Sequence, residues 1–214
     1  MARFVVAVAL AFVLSSSLRA DSKVADAPSA VDKAEQLRAD GKPLEAIKLL
    51  DAVLDKDPND FGALFARADC FFSAGEDRKA IAEYEHLLKL KPSVLRKMVV
   101  YNNLAYILAA SPDDGVRDGK RAVDFAETAQ LLQETPSQDV LDTLAAAYAE
   151  AGQFDRAIEA ENKAIKLAPE NQREEFGKYL KLYEAHNPRR EPRAKNDQPA
   201  SEQGAANTSE QKSR

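Results

Sequence analysis

The sequence has few of the residues on which most active sites depend. Its single cysteine, Cys70, excludes an internal disulfide framework and, lying among apolar residues, is expected to be a packed thiol rather than a nucleophile. Its two histidines, His86 and His186, stand 100 positions apart, which favours surface positions over a shared metal or catalytic role. The sequence contains neither a glycine-rich phosphate loop nor a Ser-His-Asp arrangement. We therefore expect no catalytic residues, no metal site and no cofactor, and a protein that is not an enzyme.

An excess of positive charge is also absent. The chain has 30 lysines and arginines against 35 aspartates and glutamates, a net charge of -5. Such a chain offers no basic surface for nucleic acid or for an anionic membrane. Partners attracted by charge are therefore expected to be basic or neutral.

Long apolar runs are missing except at the N-terminus. Arg3 precedes the eleven apolar residues 4–14, and a serine-rich stretch then ends at Ala20. These are the parts of a secretory signal peptide, so residues 1–20 are predicted to be a signal cleaved after Ala20 and the protein to be exported, periplasmic or secreted. A retained anchor is one alternative, although the run is shorter than the ~20 residues of a membrane span. A buried first helix is the other, although the run is not amphipathic. After cleavage we expect no membrane insertion.

A helical pattern, in contrast, is well developed in residues 138–170. Apolar residues recur there at helical spacing in two successive stretches, which predicts two amphipathic helices. Gly152 ends the first helix and Pro169 cannot continue the second, so the unit is a helical hairpin followed by a stop. The apolar positions are Leu141, Leu144, Ala145 and Tyr148 in the first helix, and Phe154, Ala157, Ile158, Ala164 and Ile165 in the second.

The same hairpin pattern occurs three more times along the chain. Each unit has a small residue in the middle of its first helix and another near the start of its second, where two helices can approach closely. The first set is Ala34, Ala68, Ala105 and Ala145, and the second is Ala46, Ala80, Ala122 and Ala157. Gly41, Gly75 and Gly152 stand where a helix ends in the left-handed conformation.

The third unit contains nine extra residues, because Gly75 and Gly152 are 77 positions apart, nine more than two periods of 34. We expect Ser93 to cap a lengthened first helix and Asp118 to cap the second, with most of the insertion in the turn between them. Three carboxylates close together, those of Asp113, Asp114 and Asp118, raise a calcium-loop hypothesis. The alternate ligand order and the closing glutamate of an EF-hand are missing, so turn and cap chemistry is favoured.

At these positions the chain resembles the tetratricopeptide repeat family, a 34-residue helical hairpin with Tyr, Gly, Ala and Pro at fixed offsets. The third unit resembles a variant repeat of exported or multi-domain bacterial members. The resemblance implies an all-α fold, an α-solenoid of four such hairpins over residues 28–186, after a lead-in of residues 21–27. Residues 172–186 are expected to form a C-terminal capping helix. Residues 187–214 lack large apolar side chains, so a disordered polar tail is predicted.

The resemblance also implies a binding groove lined by the first helices of the repeats. When the inward-facing positions of the family are transferred to this chain by repeat register, the predicted groove residues are Phe65, Asp69, Phe72, Asn102, Tyr106 and Asp142. Some relatives hold a peptide carboxylate with Lys, Arg and Asn at such positions, but here only Asn102 is present. The groove is thus aromatic and acidic and fits an apolar or basic segment. The alternative is that these residues only pack against their neighbours.

Together these features predict a non-catalytic interaction module or scaffold of the cell envelope or periplasm. It is expected to bind a protein or peptide partner in the groove and not to bind nucleic acid. The alternative is a structural subunit of a larger envelope assembly, in which flat repeat faces make the contacts and no groove ligand exists. An enzyme or metal binder would need a site that the sequence does not reveal. The sequence indicates neither the partner nor the oligomeric state.

Overall fold

A computed structural model of the chain describes residues 28–192, and all regular structure in this range is helical. The helices are α1 (Ala30–Ala39), α2 (Pro43–Leu54), α3 (Phe61–Ser73), α4 (Asp77–Lys89), α5 (Val94–Ala110), α6 (Gly119–Leu131), α7 (Gln138–Glu150), α8 (Phe154–Leu167) and α9 (Glu170–Glu184). The predicted signal peptide (1–20), the lead-in (21–27) and residues 193–214 of the predicted tail lie outside the described residues. Within residues 28–192, no helix combines the length and apolarity needed to cross a membrane.

The helices pack in consecutive pairs. The hairpins α1–α2, α3–α4, α5–α6 and α7–α8 follow one another, and α9 packs against α8. The first helices of neighbouring repeats also touch, α1 against α3 and α5 against α7. This arrangement confirms the predicted all-α solenoid of four hairpins with a capping helix.

Small residues at the helix contacts are the reason why the hairpins close tightly. All eight alanines predicted at these contacts have 0% of their surface exposed: Ala34, Ala46, Ala68, Ala80, Ala105, Ala122, Ala145 and Ala157. A larger side chain at any of them would push two helix backbones apart.

Three glycines close the hairpins in the predicted manner. Gly41, Gly75 and Gly152 have φ angles of 77°, 77° and 74°, a conformation that favours glycine. In each case the N–H of the following residue donates to a carbonyl five positions earlier at 2.8 Å. These bonds satisfy carbonyl groups that the helix end would otherwise leave unpaired, as in a Schellman motif.

The insertion in the third unit is divided between helix and turn. Helix α5 has 17 residues where α3 has 13. Residues 111–118 then connect α5 to α6, whereas residues 74–76 suffice between α3 and α4. Asp118 caps α6 as predicted, because its carboxylate accepts the Arg121 N–H at 3.0 Å. Ser93 precedes α5 but makes no capping hydrogen bond with its side chain.

Gly119, the first residue of α6, allows this helix to contact the end of α7. A Cβ atom at this position would lie 2.8 Å from the backbone N of Ala151 and the backbone C of Glu150, and neither can move aside like a flexible side chain. We therefore expect Gly119→Ala to lower the free energy of unfolding by about 1–3 kcal/mol in urea denaturation. The matched control is Gly177→Ala in α9, where a Cβ meets nothing within 4 Å. A loss no larger for Gly119 than for Gly177 would contradict this contact.

The capping helix α9 begins at Glu170, two residues before the predicted start, directly after Pro169. Phe176 and Tyr183 are fully buried and face the last hairpin, whereas Leu182 keeps 38% of its surface exposed. The cap therefore covers the open end of the solenoid mainly with two aromatic side chains.

Candidate binding groove

The structure brings the six predicted groove residues together on the first helices of three repeats. Helix α3 carries Phe65, Asp69 and Phe72, helix α5 carries Asn102 and Tyr106, and helix α7 carries Asp142. Asp142 and Asn102 are buried, at 0% and 7% exposure, and the other four are half-buried. The rings of Phe72 and Tyr106 meet edge to face with centroids 5.9 Å apart. This contact joins the N-terminal half of the groove, on α3, to its C-terminal half, on α5 and α7.

The N-terminal half of the groove is organised around Asp69. Its carboxylate accepts hydrogen bonds from the Tyr84 hydroxyl and, at 3.4 Å, from the Asn103 amide. The same amide donates to the Tyr84 oxygen at 2.9 Å, and the Phe65 ring lies edge-on to Tyr84 at 5.6 Å. Burial raises the pKa of Asp69 above its ordinary value, although Arg38 and the Tyr84 hydroxyl act in the opposite direction. This half thus presents aromatic rings beside one acidic group.

The C-terminal half of the groove is filled by residues 187–192, here called the docked segment, which follow α9 without regular secondary structure. The sequence predicts that a disordered tail starts at residue 187, yet the structure buries Arg189 to 3% exposure. Its Nη1 donates to both carboxylate oxygens of Asp142, at 3.2 and 2.9 Å. Its Nη2 donates to the Tyr106 hydroxyl at 2.9 Å.

Aromatic faces complete the surroundings of Arg189. The guanidinium carbon lies 3.7 Å from the centre of the Tyr179 ring and 5.0 Å from that of Tyr106, within cation–π range. Together with Asp142 and the neighbouring Glu161, these two tyrosines form what we call the arginine pocket. Desolvated stacking, and hydrogen bonds from two nitrogens of one plane to a carboxylate and a hydroxyl, are the interactions that suit a planar guanidinium.

Contacts on either side of Arg189 hold the rest of the docked segment. The Glu191 N–H donates to the Ala110 carbonyl at 2.8 Å, and the Tyr106 hydroxyl donates to a Glu191 carboxylate oxygen at 2.6 Å. Arg190 forms an ion pair with Glu150 at 2.6 Å. The segment is therefore bound through backbone and side-chain atoms together, as a peptide ligand would be.

Glu161 of α8 is the unusual member of the arginine pocket. It has 0% exposure and lies beside the Asp142 carboxylate, to which its protonated form can donate a hydrogen bond. Burial, followed by the charge of Asp142, raises its pKa to about 10, so it holds a proton at neutral pH. Burial and then Asp142 also raise the pKa of Asp139 to about 6. At neutral pH the ion pair of Asp142 and Arg189 is thus left beside a neutral carboxylic acid.

The other candidate residues have structural roles. Cys70 is 1% exposed and burial raises its pKa to about 12, which confirms a packed thiol. Asp113 accepts the Gly115 N–H, Asp114 pairs with Arg117, and Asp118 is the helix cap described above. Over residues 28–192, no group of three or more His, Cys, Asp or Glu side chains is placed to hold a metal ion.

The comparison with known families agrees with this geometry. Residues 31–94 and residues 139–171 each match the tetratricopeptide repeat family. The chain is a tetratricopeptide repeat protein. Its first two hairpins and its fourth fall within these matches, and the third, with its insertion, lies between them.

Solved structures share the fold of this tetratricopeptide repeat protein. A structure described as "MamA RS-1 ArsTM double mutant" is 18% identical, with a TM-score of 0.59 over 73% of this chain and 82% of that chain. A crystal structure of MamA is 23% identical, with a TM-score of 0.51 over 75% of this chain and 96% of that chain. At these identities the likeness concerns the fold alone. No curated protein matches the chain.

Sequence reasoning about this tetratricopeptide repeat protein did not identify Arg189, Glu161 or Tyr179 as groove residues. Glu161 could have been found, since it stands four positions after Ala157 and three before Ala164 on the buried stripe of α8, where a glutamate is out of place. Arg189 and Tyr179 carried no comparable signal, because their contacts join parts of the chain that are distant in sequence.

Proposed function

We propose that this protein is a non-catalytic interaction module that binds a non-helical segment of a partner protein along the groove. The observation that carries the proposal is the docked segment, which occupies half of the groove through one backbone hydrogen bond, a buried ion pair and ring contacts. A surface that holds one such segment has the shape and the polar groups to hold another. The family match supports the same role, because these repeats typically do not catalyse reactions.

The N-terminal half of the groove is the first contact surface that we assign to the partner. Phe65 and Phe72 are half-buried there, so part of each ring stays accessible. Half-buried aromatic rings give much of the binding energy of protein interfaces. Asp69 lies between them along α3 and adds a preference for a basic or hydrogen-bonding group.

We also propose that the protein acts as a scaffold outside the cytoplasm, in the envelope or periplasm. The support is the sequence of residues 1–20, with its positive start, apolar core and Ala20. A structural subunit without a groove ligand remains the competing proposal, and the binding experiment below separates the two.

Peptide selection on the full chain tests the groove. We expect a random peptide library to yield binders whose affinity falls about 30-fold, or about 2 kcal/mol, when Phe65→Ala and Phe72→Ala are combined, because the aromatic anchors are removed. The measurement is fluorescence anisotropy of the selected peptides, with circular dichroism to verify that both proteins are equally helical. The control variant is Lys163→Ala, which alters an exposed position of α8. A selection that yields no binder, or binders indifferent to the double variant, would favour the structural subunit.

A further inference from the structure

We propose that the arginine pocket, made of Tyr106, Asp142, Glu161 and Tyr179, recognises an arginine of the partner segment, and that Arg189 occupies the pocket until that arginine displaces it. This inference rests on the proposed function, since it names the chemistry of the partner at the same groove. It assigns the C-terminal half of the groove a ligand class, an arginine in a non-helical peptide.

The pocket is selective for a guanidinium rather than for positive charge in general. Asp142 accepts two hydrogen bonds from one nitrogen of Arg189, while a second nitrogen of the same plane reaches Tyr106. Tyr179 lies 3.7 Å from the guanidinium carbon. A lysine ammonium is a compact charge that cannot make the planar contacts with carboxylate, hydroxyl and ring at once.

Some of the described polar groups in and around the pocket make no hydrogen bond while Arg189 occupies it. Among residues 28–192, neither the Nε of Arg189 nor the hydroxyl of Tyr183 has a hydrogen-bond partner. Buried polar groups without partners cost free energy. A guanidinium that enters from another backbone direction can donate to Glu161 as well as to Asp142. The pocket therefore has hydrogen-bonding capacity beyond its present occupant.

The docked segment is held mainly through side chains and by few backbone hydrogen bonds, which makes displacement by a similar segment feasible. Two backbone hydrogen bonds join it to the rest of the fold, from the Asn187 N–H to the Leu182 carbonyl and from the Glu191 N–H to the Ala110 carbonyl, and Pro188 and Pro192 have no N–H to donate. Arg190 and Pro192 are exposed. An intramolecular occupant lowers the apparent affinity of a competing ligand, because that affinity is scaled by the fraction of chains whose pocket is open. Removal of the occupant should therefore raise that affinity.

The contacts of the docked segment indicate what the partner should contain. Glu191, two residues after Arg189, accepts a hydrogen bond from Tyr106 and lies 3.4 Å from the Arg189 guanidinium. A partner segment with an arginine followed two residues later by an acidic side chain can repeat both contacts. The positive charge of this arginine suits the pocket, because Asp142 is the pocket residue that faces the cation as a carboxylate.

The test uses a fluorescent peptide with the sequence of residues 185–195, added in trans to the full chain. We expect the variant Arg189→Ala to bind this peptide at least about tenfold more tightly than the parent, because its pocket is vacant. A peptide with citrulline in place of Arg189 keeps the shape but not the charge, and it should bind the variant at least about tenfold more weakly. The control variant Lys181→Ala removes a positive charge from the exposed face of α9 and should bind like the parent.

Equal binding by the parent and Arg189→Ala, or by the citrulline and arginine peptides, would overturn the proposal. If Arg189→Ala loses its helical circular dichroism, the same titration is made on Arg189→Lys, which keeps a cation but loses the planar guanidinium. That variant must then bind more tightly than the parent. Concentration-dependent dimers of the parent in sedimentation would instead assign the pocket to the segment of a second copy. Selected peptides that need Phe65 and Phe72 but no arginine would refute this inference and leave the proposed function standing.

Discussion

Replacing Ala157 with arginine is expected to lower the free energy of unfolding by more than about 3 kcal/mol, because a long charged side chain would enter a helix contact that has no room for it. Ala157 is fully buried near the start of α8 and belongs to one apolar cluster with Ala145 of α7 and Ala122 of α6. The substitution combines overpacking with the burial of a charge.

The matched control for this prediction is Asn162→Arg on the same helix, where the side chain is exposed. Thermal unfolding followed by circular dichroism should show a large fall in Tm for Ala157→Arg and a small change for Asn162→Arg. Equal melting temperatures would mean that the repeat register is misassigned. The result would count equally against the positions of the other seven alanines.

Replacing Glu161 with glutamine is expected to remove a dependence of stability on pH. The folded-state pKa of Glu161, about 10, lies above its ordinary value of 4.5. Between these values the folded chain keeps a proton that the unfolded chain has released, so stability falls as pH rises through this window. The loss approaches about 1.4 kcal/mol per pH unit. Glutamine resembles the protonated acid and cannot titrate, so its advantage over the parent should grow with pH.

The measurement is urea denaturation at about pH 6.5 and about pH 8.5, where any residual titration of Asp139, with a pKa of about 6, affects parent and variant alike. From the lower to the higher pH, the free energy of unfolding of Glu161→Gln should rise by about 3 kcal/mol relative to that of the parent. The control is Glu159→Gln, which removes an exposed carboxylate from the same helix. If the unfolding free energies of both variants change with pH at the same rate as that of the parent, Glu161 is ionised in the folded chain and the pocket carries a second negative charge.

The solenoid could be predicted from the sequence because its determinants are local and repeated. Ala34, Ala68 and their counterparts mark helix contacts at a fixed period, and Gly41, Gly75 and Gly152 mark the hairpin turns. Each repeat contacts mainly its neighbours, so a pattern read within one hairpin transfers to the next. Even the insertion in the third unit could be assigned to a longer helix and a longer turn, since both ends carry recognisable caps or breaks.

The content of the groove could not be predicted in the same way. Only the repeat register indicates that Asp142 lies on the groove. That the six groove residues form a binding site stays a prediction. Arg189 lies in a polar stretch whose composition resembles that of a disordered tail. Its burial depends on the pairing of one cation with a carboxylate 47 positions earlier and on a tyrosine 83 positions earlier. Such contacts have no periodicity from which to read them.

The position of the docked segment at the end of the described chain has a consequence during synthesis. Helices α3, α5 and α7, which carry the six groove residues, all precede residues 187–192 in the order in which the ribosome makes them. Contacts within each hairpin are local and form fast, whereas the bond between Glu191 and Ala110 closes a loop of about eighty residues. Each nascent chain therefore passes through a period in which the groove is built and Arg189 has not yet arrived. A partner present at that moment meets an open surface and need not displace anything.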